Sequence, residues 1–324
     1  MLKKKIFEIT TDNNFEKRAL EVFRFQHENI AIYRAFCNLL KVVPSEVKKI
    51  TDIPFLPIQF FKNHKILAEG FSAEEIFTSS GTTGSITSKH FVAYTKLYEE
   101  SFLKGFQDQY GNPSKYAILA LLPSYLERDG SSLIYMVDRL ITESNNSHSG
   151  FYLSEMDRLI DKINYLEKIK QPTILLGVSY ALLDLLEMQN FKLKRTIIME
   201  TGGMKGRRKE MIKEELHAVL KNGFEVEKIH SEYGMTELLS QAYSIGDGIF
   251  SCPPWMKILT RDPEDALTLI SGKTGGINVI DLANLYSCSF IATQDLGKTH
   301  PNGTFEILGR FDASDIRGCN LMML

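Results

Sequence analysis

The sequence has few of the residues that build metal centres and disulfide frameworks. Its cysteines, Cys37, Cys252, Cys288 and Cys319, form no CxxC pair and no zinc spacing, and its seven histidines form no HExxH motif. No stretch approaches the ~20 uninterrupted apolar residues of a membrane span. The first residues, MLKKKIFEITTD, lack the apolar segment and the cleavage site of a signal peptide. We therefore expect a cytoplasmic protein with no disulfide framework, no dedicated metal site and no membrane span.

A strong charge of either sign is also lacking. The 38 Lys and Arg residues nearly balance the 40 Asp and Glu residues, and the formal net charge is −2. Nucleic acids and anionic membrane surfaces are therefore not expected as partners. Hydrophobic residues make up 44% of the 324 residues, which is enough to form the core of one large α/β domain or of two modest ones.

The spacing of apolar residues predicts a single α/β domain with three regions and a tail. Residues 1–75 are predicted to be mainly helical. Over residues 76–250, strands alternate with helices, which predicts layered, mostly parallel sheets with crossover helices. Over residues 251–318, short apolar runs separated by Gly, Asp and Pro predict an antiparallel β subdomain, and residues 319–324 form the tail.

Three elements of this prediction are specific enough to be checked individually. Apolar residues at helical spacing predict one helix over residues 14–42. A second helix is predicted over residues 204–221, and the segment FEVEKI, residues 224–229, is predicted to be the strand that follows it.

A polar loop after the predicted strand EEIFTSS has the composition of a phosphate-binding site. Its two glycines allow backbone N–H groups to point inward, and its hydroxyls and a following lysine add further donors. The residues are Thr78, Ser79, Ser80, Gly81, Thr82, Thr83, Gly84 and Lys89. The Walker A pattern GxxxxGK[ST] does not fit this loop. The alternative interpretation is an ordinary surface turn, because Gly, Ser and Thr are common in loops.

Three later motifs could complete a nucleotide site. The segment YGMTE places Tyr233 and Glu237 at the predicted carboxyl edge of a parallel sheet, where ligands bind in open α/β folds. Glu237 could hold Mg²⁺ beside phosphate, and Tyr233 offers a flat face for a base. The segment TQDLG places Asp295 where its carboxylate could accept the ribose hydroxyls. The segment GRFD supplies Arg310 for phosphate or ribose.

These motifs, in this order, resemble the large domain of the adenylate-forming superfamily of acyl-CoA synthetases and ligases. The resemblance covers about residues 75–318. Within that superfamily, the segments LLPSYLERDGSSLIYM, TGGMKGRRKE and RGCNLM resemble the LuxE-type acyl-protein synthetases. Phenylacetate-CoA ligases are more distant relatives. The resemblance implies ATP and Mg²⁺ as cofactors and a carboxylic acid, expected to be a fatty acid, as substrate.

The resemblance also implies a role for each motif residue. Ser79 to Gly84 and Lys89 would contact the phosphates, Glu237 would bind Mg²⁺, Asp295 the ribose, and Arg310 the ribose or phosphate. The residues lining the AMP site would be Gly202, Gly203, Tyr233, Gly234, Met235 and Thr236. The edge of the acyl pocket would be formed by Pro123, Ser124 and Tyr125. An acyl reductase or a carrier protein is implied as a partner.

The chain departs from the superfamily pattern after the GRFD segment. Most members continue into a further domain with a catalytic lysine, whereas here twelve residues follow Asp312. This departure favours an acyl-protein synthetase in which a cysteine of the enzyme accepts the acyl group. Cys319 is the candidate, because Gly318 gives mobility and Arg317 favours the thiolate. The alternative is that Cys319 packs in the core, which is the role we expect for Cys37 and Cys288.

Two other functions remain open on the sequence. The segment GVSYA, residues 177–181, follows a predicted strand and precedes a helix, as the nucleophile elbow of an α/β-hydrolase does, which would make Ser179 the nucleophile of an acyltransferase. Ala181 replaces the second glycine of that motif. The histidines downstream are His217, His230 and His300. The other alternative is a non-catalytic nucleotide-binding subunit.

Overall fold

The computed structural model of the chain describes residues 2–80, 86–122, 130–202, 208 and 211–311. The predicted site residues Gly81 to Gly84, Pro123 to Tyr125, Gly203 and Cys319 lie outside the described residues. Within the described part, no helix is both long and apolar enough to cross a membrane.

The described chain alternates helices and strands. The helices are α1 (Leu2–Ile6), α2 (Asp12–Asn29), α3 (Ala31–Leu39), α4 (Phe60–Asn63), α5 (Thr95–Tyr110), α6 (Ser132–Ser144), α7 (Met156–Lys168), α8 (Ser179–Met188) and α9 (Lys213–Phe224). Short 3-10 helices cover Ile50–Asp52, Pro113–Lys115 and Leu282–Asn284. The strands are β1 (Leu56–Pro57), β2 (Glu75–Thr78), β3 (Lys89–Val92), β4 (Ala117–Leu121), β5 (Gly150–Phe151), β6 (Thr173–Val178), β7 (Thr196–Thr201), β8 (His230–Tyr233), β9 (Ala242–Ser244), β10 (Ile249–Ser251), β11 (Met256–Arg261), β12 (Leu269–Ile270), β13 (Gly275–Asp281), β14 (Phe290–Thr299) and β15 (Phe305–Arg310).

One large sheet joins a parallel half to an antiparallel half. The parallel half runs in the order β5-β4-β6-β7-β8, and every residue of β4 and β6 is buried. Such unbroken apolar strands are typical of a sheet covered on both faces. The antiparallel half continues as β9-β10-β15-β14-β13-β11-β12, with β1 added in parallel to β14. The mixed α/β fold class predicted from the sequence is confirmed.

The N-terminal helices pack on the antiparallel half. Gln26 of α2 is fully buried, and its amide nitrogen donates to the carbonyl oxygens of Asn284 and Leu285 at 2.9 and 3.0 Å. Its amide oxygen accepts from the backbone N–H of Ser289 at 3.0 Å. Gln26 therefore joins α2 to the main chain of residues 284–289 through buried hydrogen bonds.

Some boundaries differ from the prediction. The helix predicted over residues 14–42 is two helices, because Ile30 takes an extended conformation between them. The strand predicted over residues 224–229 is wrong. Glu225 takes a left-handed φ of 50° and ends α9, so the strand starts only at His230. The helix predicted over residues 204–221 begins, in the described part, at Lys213.

Antiparallel pairing begins before the predicted subdomain boundary. Strands β9 and β10 are already antiparallel to their neighbours, although both start before residue 251. The division of the chain into regions stays a prediction. The functional consequence is that the end of parallel strand β8 lies near the antiparallel strands that carry the last two sequence motifs.

Candidate active site

Three of the sequence motifs meet where β8 ends. Tyr233 is the last residue of β8, and its hydroxyl donates to Asp295 Oδ2 at 2.8 Å. Asp295 lies opposite Arg310 in the register of β14 and β15, and Arg310 Nε is 3.4 Å from Asp295 Oδ1. Residues separated by more than 60 positions in the sequence therefore share one carboxylate.

The carboxylate of Asp295 is largely buried, whereas Arg310 is exposed. The Asp295 side chain is 14% exposed and the Arg310 side chain 70%. Burial raises the pKa of Asp295, and the Tyr233 hydroxyl together with the charges of Arg310 and Arg261 opposes that rise. The exposed guanidinium remains able to reach a ligand.

The ring of Tyr233 packs against two aromatic side chains of the antiparallel half of the sheet. Its centroid lies 6.0 Å from that of Phe250 and 5.6 Å from that of Phe305, in edge-to-face geometry. Burial, followed by the charge of Asp295, raises the pKa of Tyr233, so its hydroxyl keeps its proton and acts as a donor. Tyr233 as a residue is partly buried, so part of its surface remains accessible to a ligand.

The loop after Tyr233 begins with a glycine that packs against a buried glutamate. A Cβ atom on Gly234 would lie 2.5 Å from Glu232 Oε1, so a side chain there would displace the Glu232 carboxyl group. Glu232 is buried and also accepts from the Thr201 hydroxyl. Burial raises the pKa of Glu232 to about 7, with a further contribution from the charge of Glu200. The loop therefore packs directly on a buried carboxyl group.

Glu237 lies beside the loop end of the β2–β3 hairpin, where it contacts Ser88. Its side chain is buried, and burial raises the pKa of Glu237, while a hydrogen bond from Ser88 and the charge of Arg310 oppose the rise. The backbone N–H of Ser88 in turn donates to Ser79 Oγ at 2.9 Å. Glu237 is thus connected through Ser88 to the start of the predicted phosphate loop.

The described ends of the phosphate loop form a β-hairpin. Thr78 pairs with Lys89, and the backbone N–H of Ser79 donates to the carbonyl of Ser88 at 3.1 Å. Ser80 and Lys89 are exposed. The loop therefore connects two antiparallel strands and is not followed directly by a helix, in keeping with the absence of a Walker A pattern.

His90 belongs to this site but was not predicted. It is fully buried on β3, and its Nδ1 atom lies 2.8 Å from the carbonyl oxygen of Thr236 in the YGMTE loop. Because a carbonyl only accepts, Nδ1 carries the proton and Nε2 does not. Burial lowers the pKa of His90 to about 4. The only signal in the sequence was a histidine at an inward position of an alternating strand.

A magnesium ion would have to rely on Glu237 and on the phosphates of the nucleotide. Among the described residues, no group of three or more His, Cys, Asp or Glu side chains could hold a metal ion. Mg²⁺ in nucleotide sites is commonly held by one or two carboxylates together with substrate phosphates and waters. The single buried carboxylate of Glu237, next to the phosphate loop, fits that mode of binding.

The contacts of Ser179 do not support a hydrolase nucleophile. Ser179 is buried, and its hydroxyl donates to the carbonyl of Gly202 at 3.1 Å and to Glu200 at 3.4 Å. Glu200 lies between Ser179 and His217, whereas a serine nucleophile needs the imidazole as its direct partner. His230 pairs with Tyr110 and His300 with Glu306.

Gly202, predicted to line the AMP site, directly follows β7 and has a left-handed φ of 66°.

The described cysteines are poorly suited to act as nucleophiles. Cys37 and Cys288 are fully buried, as predicted, and Cys252 is partly buried. Burial raises the pKa of Cys37 to about 12 and also raises the pKa values of Cys252 and Cys288. A thiol with a raised pKa is rarely in the reactive thiolate form.

The buried state of His90 predicts a pH-dependent contribution to stability. Its folded pKa of about 4 lies below the value of 6.5 for a free histidine, so the unfolded chain binds the proton first. Relative to His90→Gln, the wild type should therefore lose roughly 2 kcal/mol of unfolding free energy as the pH falls from about 7 to about 5. Urea unfolding at both pH values measures this change, with the exposed His64→Gln as control. A difference between wild type and His90→Gln that does not vary with pH would contradict the assignment.

The first part of the chain is similar to a known protein family. The family described as acyl-protein synthetase, LuxE, matches residues 4–112. A relative from Photorhabdus luminescens, a long-chain-fatty-acid–luciferin-component ligase, is 36% identical over 70 residues. That match covers 21% of this chain and 60% of the relative.

Solved ligase structures share the fold. ATP-bound MatB from Rhodopseudomonas palustris matches at 19% identity with a TM-score of 0.54, covering 72% of this chain and 47% of MatB. A 2-hydroxyisobutyryl-CoA ligase in complex with 2-HIB-AMP and CoA matches at 15% identity with a TM-score of 0.69, covering 94% of this chain and 72% of the ligase. The chain spans about half the length of MatB. The resemblance to LuxE-type acyl-protein synthetases is confirmed over residues 4–112, and the fold is similar to that of these two ligases.

Proposed function

We propose that this chain uses ATP to convert a carboxylic acid, most simply a fatty acid, to an acyl-adenylate and then passes the acyl group to a thiol. The observation that supports this proposal best is the contact of Tyr233 and Arg310 with the Asp295 carboxylate, next to Glu237 and the hairpin loop. Four motifs that are separate in the sequence would then face one nucleotide.

The described residues suit the parts of ATP in order. Asp295 would hold the ribose, because a carboxylate has about four acceptor positions and Tyr233 and Arg310 use only part of them. The ring of Tyr233 would face the base, beside Gly202 and Gly203. The phosphates would lie against the loop from Ser79 to Gly84.

The first step joins two anions, so the site must supply positive charge. An oxygen of the acid carboxylate attacks the α-phosphorus, the bond to the bridging oxygen breaks, and pyrophosphate leaves. Lys89 and Arg310 are exposed, and their positive charges would face the phosphates. Mg²⁺ held by Glu237 and the phosphates would neutralise developing charge when bound.

The relatives support the substrate class but only by analogy. The Photorhabdus luminescens relative is named for a long-chain fatty acid, MatB was solved with ATP, and the 2-hydroxyisobutyryl-CoA ligase with 2-HIB-AMP. A fatty acid as substrate, a cytoplasmic location, and an acyl reductase or carrier protein as partner are parts of this proposal. The acyl pocket would be bordered by Pro123, Ser124 and Tyr125.

Exchange of labelled pyrophosphate into ATP tests the proposal, with a series of fatty acids as the varied substrate. Exchange that depends on the acid supports adenylation. ATP binding without exchange would instead favour a non-catalytic nucleotide-binding subunit. Hydrolysis of esters without ATP would favour an acyltransferase.

Replacing Glu237 should separate nucleotide binding from adenylation. In Glu237→Gln the side chain keeps its shape but loses the charge that would hold Mg²⁺ against phosphate. We expect ATP still to bind and exchange to fall about 100-fold or more, because a bound metal contributes several kcal/mol to such steps. The exposed Glu264→Gln is the matched control. Exchange at the wild-type rate in Glu237→Gln would rule out the metal role.

Cys319 is our candidate for the acyl acceptor. The other three cysteines have raised pKa values and are wholly or partly buried, which leaves Cys319 as the remaining thiol of the sequence. The family description, acyl-protein synthetase, also favours transfer to a protein. In the second step the thiolate sulfur attacks the acyl carbon, the bond to the AMP oxygen breaks, and AMP leaves.

A serine variant tests this acceptor. Cys319→Ser should exchange pyrophosphate normally but form no hydroxylamine-sensitive acyl-enzyme from labelled fatty acid and ATP. Cys252→Ser serves as control and should be labelled like the wild type. A hydroxylamine-sensitive adduct at the normal level in Cys319→Ser would move the acceptor to another cysteine or another protein.

A further inference from the structure

Arg261 is a buried arginine beside the proposed ribose site. It ends β11 and is 8% exposed. Arginine is almost never buried unless its donors are satisfied. Arg261 Nη1 donates to the carbonyl of Ile277 at 2.7 Å and to Asn278 Oδ1 at 2.8 Å, and Nη2 donates to the carbonyl of Thr293 at 2.5 Å.

These carbonyls lie at a β-bulge. Between β13 and β14, Gly276 pairs with Leu296 but Asn278 pairs with Ala292, so Ile277 alone lies opposite residues 293–295. A bulge interrupts the regular ladder and re-aims a side chain, often next to an active site. Here the bulge carries Asp295, and the guanidinium supplies donors to carbonyls on both sides of it.

The same bulge is tied to the backbone of Asp295. Thr293 Oγ1 donates to the Ile277 carbonyl at 2.9 Å and accepts from the backbone N–H of Asp295 at 3.1 Å. Arg261 therefore shares the Ile277 carbonyl with the side chain that holds the Asp295 main chain. The guanidinium also lies 5.7 Å from the ring of Phe311, the residue after Arg310.

The opposite strand leaves room for the guanidinium. Gly276 is the register partner of Arg261, and a Cβ atom at Gly276 would lie 2.6 Å from Arg261 Cζ. Because any side chain there would displace the arginine, Gly276 and Arg261 act as a pair. The positive charge of Arg261 also lowers the pKa of Asp295, against the effect of burial.

We infer that Arg261 is a positioning residue for the nucleotide: by satisfying the carbonyls of the β14 bulge, it holds the Asp295 carboxylate and the Arg310–Phe311 segment in place for the ribose. This inference rests on the proposed function. The planar guanidinium has several N–H donors in fixed positions, which lets it bond all three acceptors at once. Lysine has the same charge but lacks this geometry, so it should not take over the role of Arg261.

Steady-state exchange kinetics test the inference. Arg261→Lys should raise the KM for ATP about 10-fold or more, as expected for loss of hydrogen bonds to a charged group, while the KM for the acid stays within about twofold. Thr293→Val removes the hydroxyl that bonds the Ile277 carbonyl and the Asp295 N–H. It should also raise the KM for ATP, by a smaller factor. In the double variant the KM for ATP should rise by less than the product of the two single-variant fold increases, because both residues stabilise the same bulge. Lys257→Met, on the same strand, is the control.

The outcomes distinguish this inference from the proposed function. Absence of exchange in the wild type would overturn the proposed function. With an active wild type and folded variants, an unchanged KM for ATP, or equal changes for ATP and acid, would overturn only the role of Arg261. Unfolding of both Arg261→Lys and Thr293→Val would show that the arginine stabilises the sheet, and would likewise overturn it.

Discussion

The site depends on keeping one carboxylate, that of Asp295, in a largely buried position. An unpaired buried charge is expensive, so this carboxylate can exist only where partners converge on it. The partners come from separate parts of the chain: the Tyr233 hydroxyl from the end of β8, Arg310 from β15, and the nearby charge of Arg261 from β11. The junction of the parallel and antiparallel halves of the sheet brings these elements together.

Buried polar groups pack against the loop between Tyr233 and Glu237. Glu232 lies under Gly234, and His90 binds the carbonyl of Thr236. Burial shifts the pKa values of Glu232 and His90 towards their neutral forms. Packed and hydrogen-bonded in this way, Glu232 and His90 keep the loop in one conformation. A site that binds phosphate and a metal ion requires such a fixed loop.

The residues that converge on Asp295 differ in how visible they are in the sequence. Tyr233, Glu237, Asp295 and Arg310 stand in short motifs. The rule that parallel strands present ligands at their carboxyl ends predicted the position of Tyr233 and Glu237, and the resemblance assigned all four residues to one nucleotide site. Arg261 stands in none of these motifs, and the sequence analysis assigned it no role. Its burial depends on a bulge in a strand more than 30 residues away, which no local pattern encodes.

The central claim is that Asp295 holds the ribose of an adenine nucleotide, and calorimetric titration tests it directly. AMP should bind at least about 10-fold more tightly than its 2′,3′-dideoxy analogue, because only AMP offers hydroxyls to a charged acceptor. In Asp295→Asn, which keeps the shape of the side chain, the two ligands should bind with nearly equal affinity. Equal affinities in the wild type, or a preference for AMP that persists undiminished in Asp295→Asn, would contradict the account.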